Sequence, residues 1–561
     1  MRQLSNLILC LFCISSLIAG APALSAEQEL PKAGIASAHP LATQAGYEVL
    51  QKGGNAFDAA VAISAALAVV EPSGSGLGGG GFWLLHRAKD GFEVMVDGRE
   101  TAPARSTKSM YLNKQGEPIA HASLNGPLAA AIPGEPAALV HIAQRYGRLP
   151  LSVTLAPAIR YAENGFKVSP RYQKMTMLRQ AVLQQFPEAA KVFLINGEVP
   201  DTGAVIRQKD LAQTLKLLSR NGHKGFYDGE VARKLVSGVR RAGGIWRLQD
   251  LKDYKIVERQ PVTGSYRNLK ITAAALPSSG GLVLMEMFNI LSGFELSTLT
   301  SYQRAHLIIE AMRLAYHDRA SYLGDPDFVS VDTVKLLSLA HADRLRKIIN
   351  LNRALSSETL PARVTGAQGI DTSHFSVIDS EGNRVAATLS INYPFGSGFM
   401  PPGTGVVLNN EMDDFSIKPG VANVYGLIGN EANAIEPGKR PLSSMTPTFL
   451  ETPDSIVVMG TPGGSRIITM VLLAALEVAD KRGGPGEWVA LPRFHHQYMP
   501  DQVFYEAGAF SDADIRYLEK LGHDLQVHDG YGNMQVVMLR KKDRKFESAS
   551  DPRGEGAALT R

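Results

Sequence analysis

The chain has 561 residues, 45% hydrophobic and 20% charged, a balance that can bury a large core and argues against a disordered chain. Its formal charge is only +4, and its densest basic run, Arg540 to Lys545, is interrupted by Asp543 and reads as a solvated hairpin or loop. No footprint for nucleic acid or an anionic membrane surface follows from it.

In chain order, the first element is a targeting signal: Arg2, an apolar run from Leu7 to Ala19, then small residues around Ala21, Ala23 and Ala26. The run is too short to span a bilayer and has the secretory pattern, with cleavage expected after Ala23 or Ala26, leaving no membrane anchor. Both cysteines, Cys10 and Cys13, lie inside it. A mature chain without cysteine excludes zinc–thiolate sites, iron–sulfur clusters and cysteine nucleophiles. It enters an oxidising compartment relying on the size of its core rather than on disulfides.

Two Ala-rich apolar stretches, Ala42 to Leu50 and Ala56 to Val70, read as helices joined by a turn at Lys52 to Asn55. A Gly-rich loop from Ser73 to Gly81 follows, then a hairpin of core strands, Phe82 to His86 and Phe92 to Val96, around Lys89-Asp90-Gly91. From Pro133 to about Asn350 the pattern is mainly helical, with helical spacing in Ala137 to Tyr146, Asp210 to Leu218, Leu282 to Leu291 and Gln303 to Tyr316. Arg363 to Gly369 reads as an exposed linker. Beyond it, His374 to Ile378, Arg384 to Ile391, Gly405 to Leu408 and Ser455 to Gly460 read as strands and Ile468 to Val478 as a helix. A tight turn at Glu381 to Arg384 makes the first two a hairpin.

On residue type alone, Thr372 simply begins a strand, Arg99 pairs at a surface, Asp413 and Asp414 form a turn, Ser443 and Ser444 cap a helix, and Pro462-Gly463-Gly464 turns the chain. His495-His496 invites a metal, but adjacent residues of a regular element face apart and no spaced carboxylate completes a ligand set, so buried, hydrogen-bonded histidines are expected. Gly78 to Gly81 lacks the Lys and Ser or Thr of a phosphate loop, which points to close backbone packing instead.

Several long blocks together say more. Thr372-Ser373-His374-Phe375-Ser376, Asn409 to Ser416, Pro441-Leu442-Ser443-Ser444-Met445 and Gly460-Thr461-Pro462-Gly463-Gly464-Ser465-Arg466 resemble the signature blocks of gamma-glutamyltranspeptidases, in order and near the family's spacing. Gly53 to Asp58, Leu77 to Phe82, Pro492 to His496 and Ala549 to Arg553 resemble further family blocks, so the likeness covers essentially the whole mature chain.

The resemblance implies an α+β fold, the four-layer αββα sandwich of N-terminal nucleophile hydrolases. It implies self-cleavage after Asp371, giving a signal at 1–26, a large subunit at 27–371 and a small subunit at 372–561 that share one core. Thr372, newly N-terminal, becomes the nucleophile, with its own α-amino group as base. Ser390, where many relatives carry Thr, supports the nucleophile, and the N–H groups of Gly463 and Gly464 form the oxyanion hole. Arg99, Ser443 and Ser444 hold the donor's α-carboxylate. Asn392, Glu411 and Asp414 hold its ammonium, and Phe415 to Arg440, including Tyr425, forms a lid. Glu411 stands where several bacterial members have Gln, which adds a negative charge, and Ser373 replaces the commoner second Thr while keeping its hydroxyl.

The implied substrates are glutathione and other γ-glutamyl compounds, with water, amino acids or dipeptides as acceptors, in the periplasm or outside the cell. The chemistry requires neither cofactor nor metal. Two alternatives remain: a cephalosporin (glutaryl) acylase of the same fold, against which Glu411 and Asp414 argue because an acyl chain without an ammonium leaves them unpaired, and an unprocessed, inactive binding protein.

Overall fold

The structure, a computed structural model, describes residues 32–360 and 372–561. The N-terminal signal, the linker Arg363 to Gly369 and Asp371 lie outside the described residues.

Two antiparallel sheets form the centre. The first runs Ala557–Thr560, Gly34–Ser37, Ser373–Ile378, Arg384–Ser390, Gly80–Arg87, Phe92–Gly98, Val257–Arg259. The second runs Lys545–Ser550, Gln535–Arg540, Ser455–Gly460, Thr448–Glu451, Leu269–Ala273, Val262–Tyr266. The period-two alternation of each strand divides its side chains between two cores. Val385, Ala387, Leu389, Trp83 and Leu85 pack under helices, while Ala386, Phe82 and Leu84 face the other sheet. On the second sheet Val457 and Met459 face helices, and Val458 and Phe449 meet the first sheet. Three stacked apolar cores between helix, sheet, sheet and helix make the four-layer αββα sandwich of the N-terminal nucleophile hydrolases.

The outer layers follow from sequence. Ala56–Val70 is apolar all round and every residue in it is buried. Its start is fixed by Asn55, whose side chain accepts from the N–H groups of Phe57 and Asp58, while Asp58 accepts from Asn55 N at 3.0 Å. Gly280–Leu291, Ser301–Tyr322 and Ile467–Ala479 cover the second sheet. Each sheet contains strands from before and from after position 371, so the two parts of the chain share the central cores.

The helices and the two hairpins expected from the sequence are present, with ends that coincide or differ by one to a few residues. Two expectations need correction. The segment read as mainly helical also contributes three strands to the central sheets, Val257–Arg259, Val262–Tyr266 and Leu269–Ala273, besides a small pair, Phe166–Lys167 with Val205–Ile206. Those three are three to five residues long, and the first two are largely half-exposed, so their alternation is short and weak. Gly405 to Leu408 is not a strand. Its apolar side chains are buried, but Leu408 bonds only within a loop, donating to Phe399 O and accepting from Ser397 N, instead of entering a ladder.

Candidate active site

Antiparallel register brings Thr372 and Ser390 together. Ser373 pairs with Leu389, so one step along the ladder Ser390 lies across from Thr372, and cross-strand partners share a face. Ser373, on the other face, donates to buried Glu71 at 2.6 Å. The strand Ser455–Gly460 of the second sheet ends in Thr461-Pro462-Gly463-Gly464, which turns back over Thr372. Gly463 N donates to Thr372 Oγ1 at 3.2 Å. Gly463 has φ +140° and Gly464 φ +57°, a backbone L side chains rarely adopt, and a Cβ at Gly464 would lie 2.3 Å from the Tyr425 ring. The glycine-rich loop at 78–81 serves close packing here: a Cβ on Gly79 would lie 2.1 Å from Ser390 O.

The opposite wall is charged. Arg99, at the exit of the strand Phe92–Gly98, is 1% exposed. Its Nη1 donates to Glu411 and its Nη2 to Asp414, each at 2.6 Å, and its Nε donates to Pro441 O at 3.2 Å. Its backbone is held by Asp97, which accepts from Arg99 N, and by the Tyr254 hydroxyl, which donates to Arg99 O. Asn409 accepts from the N–H of Glu411 and so fixes the short helix Glu411–Asp414. Glu100 stands 3.4 Å from Arg99 Nη1. Burial pushes the Glu100 carboxyl up to about 8, against the pull of Arg99, and pushes Glu411 well above the carboxylate range. Arg99 is held charged by Glu411, Glu100 and Asp414 in spite of its burial.

Thr372, Ser390, Asn392, Gly464, Arg99, Glu411, Asp414, Ser443, Ser444 and Tyr425 line one pocket. Gly463 adjoins it through Thr372. Asn392 has φ +74°, donates from Nδ2 to Asn410 O and accepts the Tyr425 hydroxyl on its carbonyl. Tyr425 lies over the pocket from the loop between Ser416 and Ala434, which Asp413 ties down by accepting from Val424 N. Ser443 is clamped by the turn before Gly280–Leu291: its N donates to Pro277 O, and its O accepts from both Ser279 N and Ser279 Oγ.

The pair His495-His496 is buried with its rings turned to different partners, His495 to Thr469 and Gln497, His496 to Asp501 and Tyr498 N. Two further groups, His306–Glu310–His523 and Glu286–Asp318–His341, bring ligand-type atoms close. In the second, Arg344 donates to His341 Nδ1, which leaves the ring proton on Nε2 facing Asp318, the opposite of what ligation requires. Sequence reading missed Arg319 in the pocket wall, Glu100 beside Arg99 and Ser279 behind Ser443. Only the Glu100 position, next to Arg99, carried a signal that could have been found.

A threonine at the start of a central strand, facing the N–H of Gly463 in an αββα sandwich, defines the class: an N-terminal nucleophile hydrolase. The family model described as "Gamma-glutamyltranspeptidase" matches residues 42–560. The chain is 40% identical over 524 residues to the glutathione hydrolase proenzyme of Escherichia coli (strain K12), covering 92% of this chain and 90% of that protein. Among solved structures it resembles cephalosporin acylase from Bacillus halodurans, with TM-score 0.82, 28% identity and 94% and 96% of the two chains covered. It also resembles Helicobacter pylori gamma-glutamyltranspeptidase, with TM-score 0.56, 40% identity and 58% and 93% covered. The chain belongs to the gamma-glutamyltranspeptidase family.

Proposed function

We propose that this enzyme cuts itself after Asp371 and then transfers γ-glutamyl groups from glutathione and related donors to water, amino acids or dipeptides. The observation that carries the reading is the pairing of opposites in one pocket: the Thr372 hydroxyl under the Gly463 N–H on one wall, and Arg99 with Glu411 and Asp414 on the other. A γ-glutamyl donor matches this, since its reacting carbonyl lies at one end and a carboxylate and an ammonium at the other.

In the precursor, Thr372 Oγ attacks the Asp371 carbonyl, the acyl group moves from nitrogen to oxygen, and water releases the large subunit, 27–371, from the small one, 372–561. The freed α-amino group, with an ordinary pKa of about 7.7–8.0, is matched to neutral pH as a general base. It takes the Thr372 hydroxyl proton as Oγ attacks the γ-carbonyl. The N–H groups of Gly463 and Gly464 stabilise the oxyanion, the ammonium returns the proton to the leaving amine, and a γ-glutamyl ester remains on Thr372. Ser390 supports the nucleophile. The ester is resolved by water or by an acceptor amine, and the loop carrying Tyr425 holds water back while the ester lasts.

In recognition, Arg99, Ser443 and Ser444 take the carboxylate, and Asn392, Glu411 and Asp414 the ammonium. A guanidinium has five N–H groups, and Arg99 keeps one on Nη2 for the ligand while it remains paired. No helix among the described residues is long and apolar enough to cross a membrane. The N-terminal signal and the bacterial relatives support the periplasm as the site of action.

The test is intact mass measurement of wild type and Thr372→Ala with a γ-glutamyl-anilide assay alongside. Two fragments, the smaller beginning at Thr372, with activity in wild type only, support the reading; an active single chain sinks it. The likeness to the cephalosporin acylase favours one second reading, hydrolysis of glutaryl amides. Equal or faster turnover of glutaryl-anilide than of γ-glutamyl-anilide would select it.

A further inference from the structure

The donor pocket contains two buried guanidinium groups with opposite surroundings. Arg99 is ringed by carboxylates. Arg319, from the middle of the core helix Ser301–Tyr322, is 5% exposed and touches hydroxyls: Nε donates to Ser279 Oγ at 3.0 Å and Nη2 to Ser444 Oγ at 3.2 Å. No ion pair joins it to a carboxylate among the described residues. Burial draws its pKa down, with Tyr316 and Asp414 at longer range pulling the other way.

Arginine can only donate, whereas a serine hydroxyl both accepts and donates. With Nη2–H on a lone pair of Ser444, the Ser444 O–H is directed away from the guanidinium, toward the pocket that both residues line. With Nε–H on Ser279, the Ser279 hydroxyl keeps its own proton for Ser443 O, at 2.7 Å. One side chain therefore orients both residues of the Ser443-Ser444 pair. A buried cation without a counter-ion is costly, and an anionic ligand beside it relieves that cost.

We propose that Arg319 is a positioning residue and the second cation of the donor pocket: it aims Ser444 at the donor's α-carboxylate, anchors Ser443 through Ser279, and balances that carboxylate while Arg99 stays engaged with Glu411 and Asp414. The proposal rests on the γ-glutamyl reading.

The experiment compares processed wild type, Arg319→Met and Arg319→Lys on two donors, γ-glutamyl-anilide and 4-aminobutanoyl-anilide, which keeps the ammonium and lacks the carboxylate. Arg319→Met is expected to raise KM for the first donor about tenfold, to leave kcat within about threefold and to leave kcat/KM for the second within about twofold, as loss of one charge-assisted contact predicts. Arg319→Lys recovers part of the KM loss. Equal losses on both donors, or a fall in kcat with KM unchanged, overturn the proposal. Arg319→Gln, smaller and still an N–H donor, carries the same comparison if Arg319→Met does not fold. A wild type that handles both donors alike overturns the underlying γ-glutamyl reading, and this one with it.

Discussion

The two walls of the pocket are built by opposite means. On the wall proposed to carry the nucleophile the residues are uncharged: Thr372 and Ser390 sit at the ends of paired strands, where ladder register sets their positions, and Gly463 and Gly464 sit in the turn that follows the strand Ser455–Gly460. On the opposite wall, proposed to recognise the donor, Arg99, Glu411, Asp414, Ser443 and Ser444 come from loops and a short 3-10 turn, held by buried hydrogen bonds with Asn409, Tyr254 and Ser279. Sheets give atomic placement where bonds form and break, and loops bring together charges from distant parts of the chain, where burial strengthens their pairing. Changes on the first wall should therefore lower kcat, and changes on the second should raise KM.

The largest expected effect comes from Thr372→Ala. The protein should remain a single chain on a denaturing gel, with its melting temperature close to that of an unprocessed control and with turnover reduced by at least about 10⁴-fold, the scale of nucleophile removal. Next, Gly464→Ala places a methyl against Tyr425 at a backbone angle alanine resists, and kcat should fall by about 10²-fold, the scale of losing one oxyanion donor. If KM rises instead with kcat intact, the division between the walls fails.

Asp414→Asn tests the other side. It should raise KM for γ-glutamyl-anilide by about tenfold or more while changing turnover of glutaryl-anilide little, since that donor has no ammonium. An equal loss on both donors would mean that Asp414 only supports Arg99.

The smallest effect concerns Glu100. Burial raises its pKa from 4.5 to about 8, so it holds a proton at neutral pH and ionises above that. The added negative charge beside Arg99 should weaken donor binding, so KM rises by about two- to threefold between pH 7 and 9, and Glu100→Gln should flatten that rise. The sign for stability follows: the folded state keeps a proton that the unfolded state loses, so this group's contribution falls as pH rises from 4.5 to about 8. Thermal melts of the two proteins across that window measure it.

The pocket was legible where contiguous motifs carry it. Thr372, Asp414, Ser443, Ser444, Gly463 and Gly464 each lie in a block whose residue types are tied to one turn or one strand end, and the structure brings them to one pocket. Arg319 was not legible, because in sequence it is one polar position on a buried helix, and its meaning lies in two serines 40 and 125 residues away. Gly405 to Leu408 misled for a related reason. Burial and β-branched residues suit a core strand, but whether a ladder partner exists is a property of the fold.

By itself the sequence determined the helices, the central hairpin and the family, because apolar period, capping residues and motif order are local properties of the chain. Tertiary structure alone decided which charges face one another. Arg99 meets Glu411 and Asp414 across more than three hundred positions, and Arg319 meets hydroxyls instead of carboxylates. These pairings depend on how four layers close around a buried pocket, where the strength of each charge is set by what burial leaves beside it.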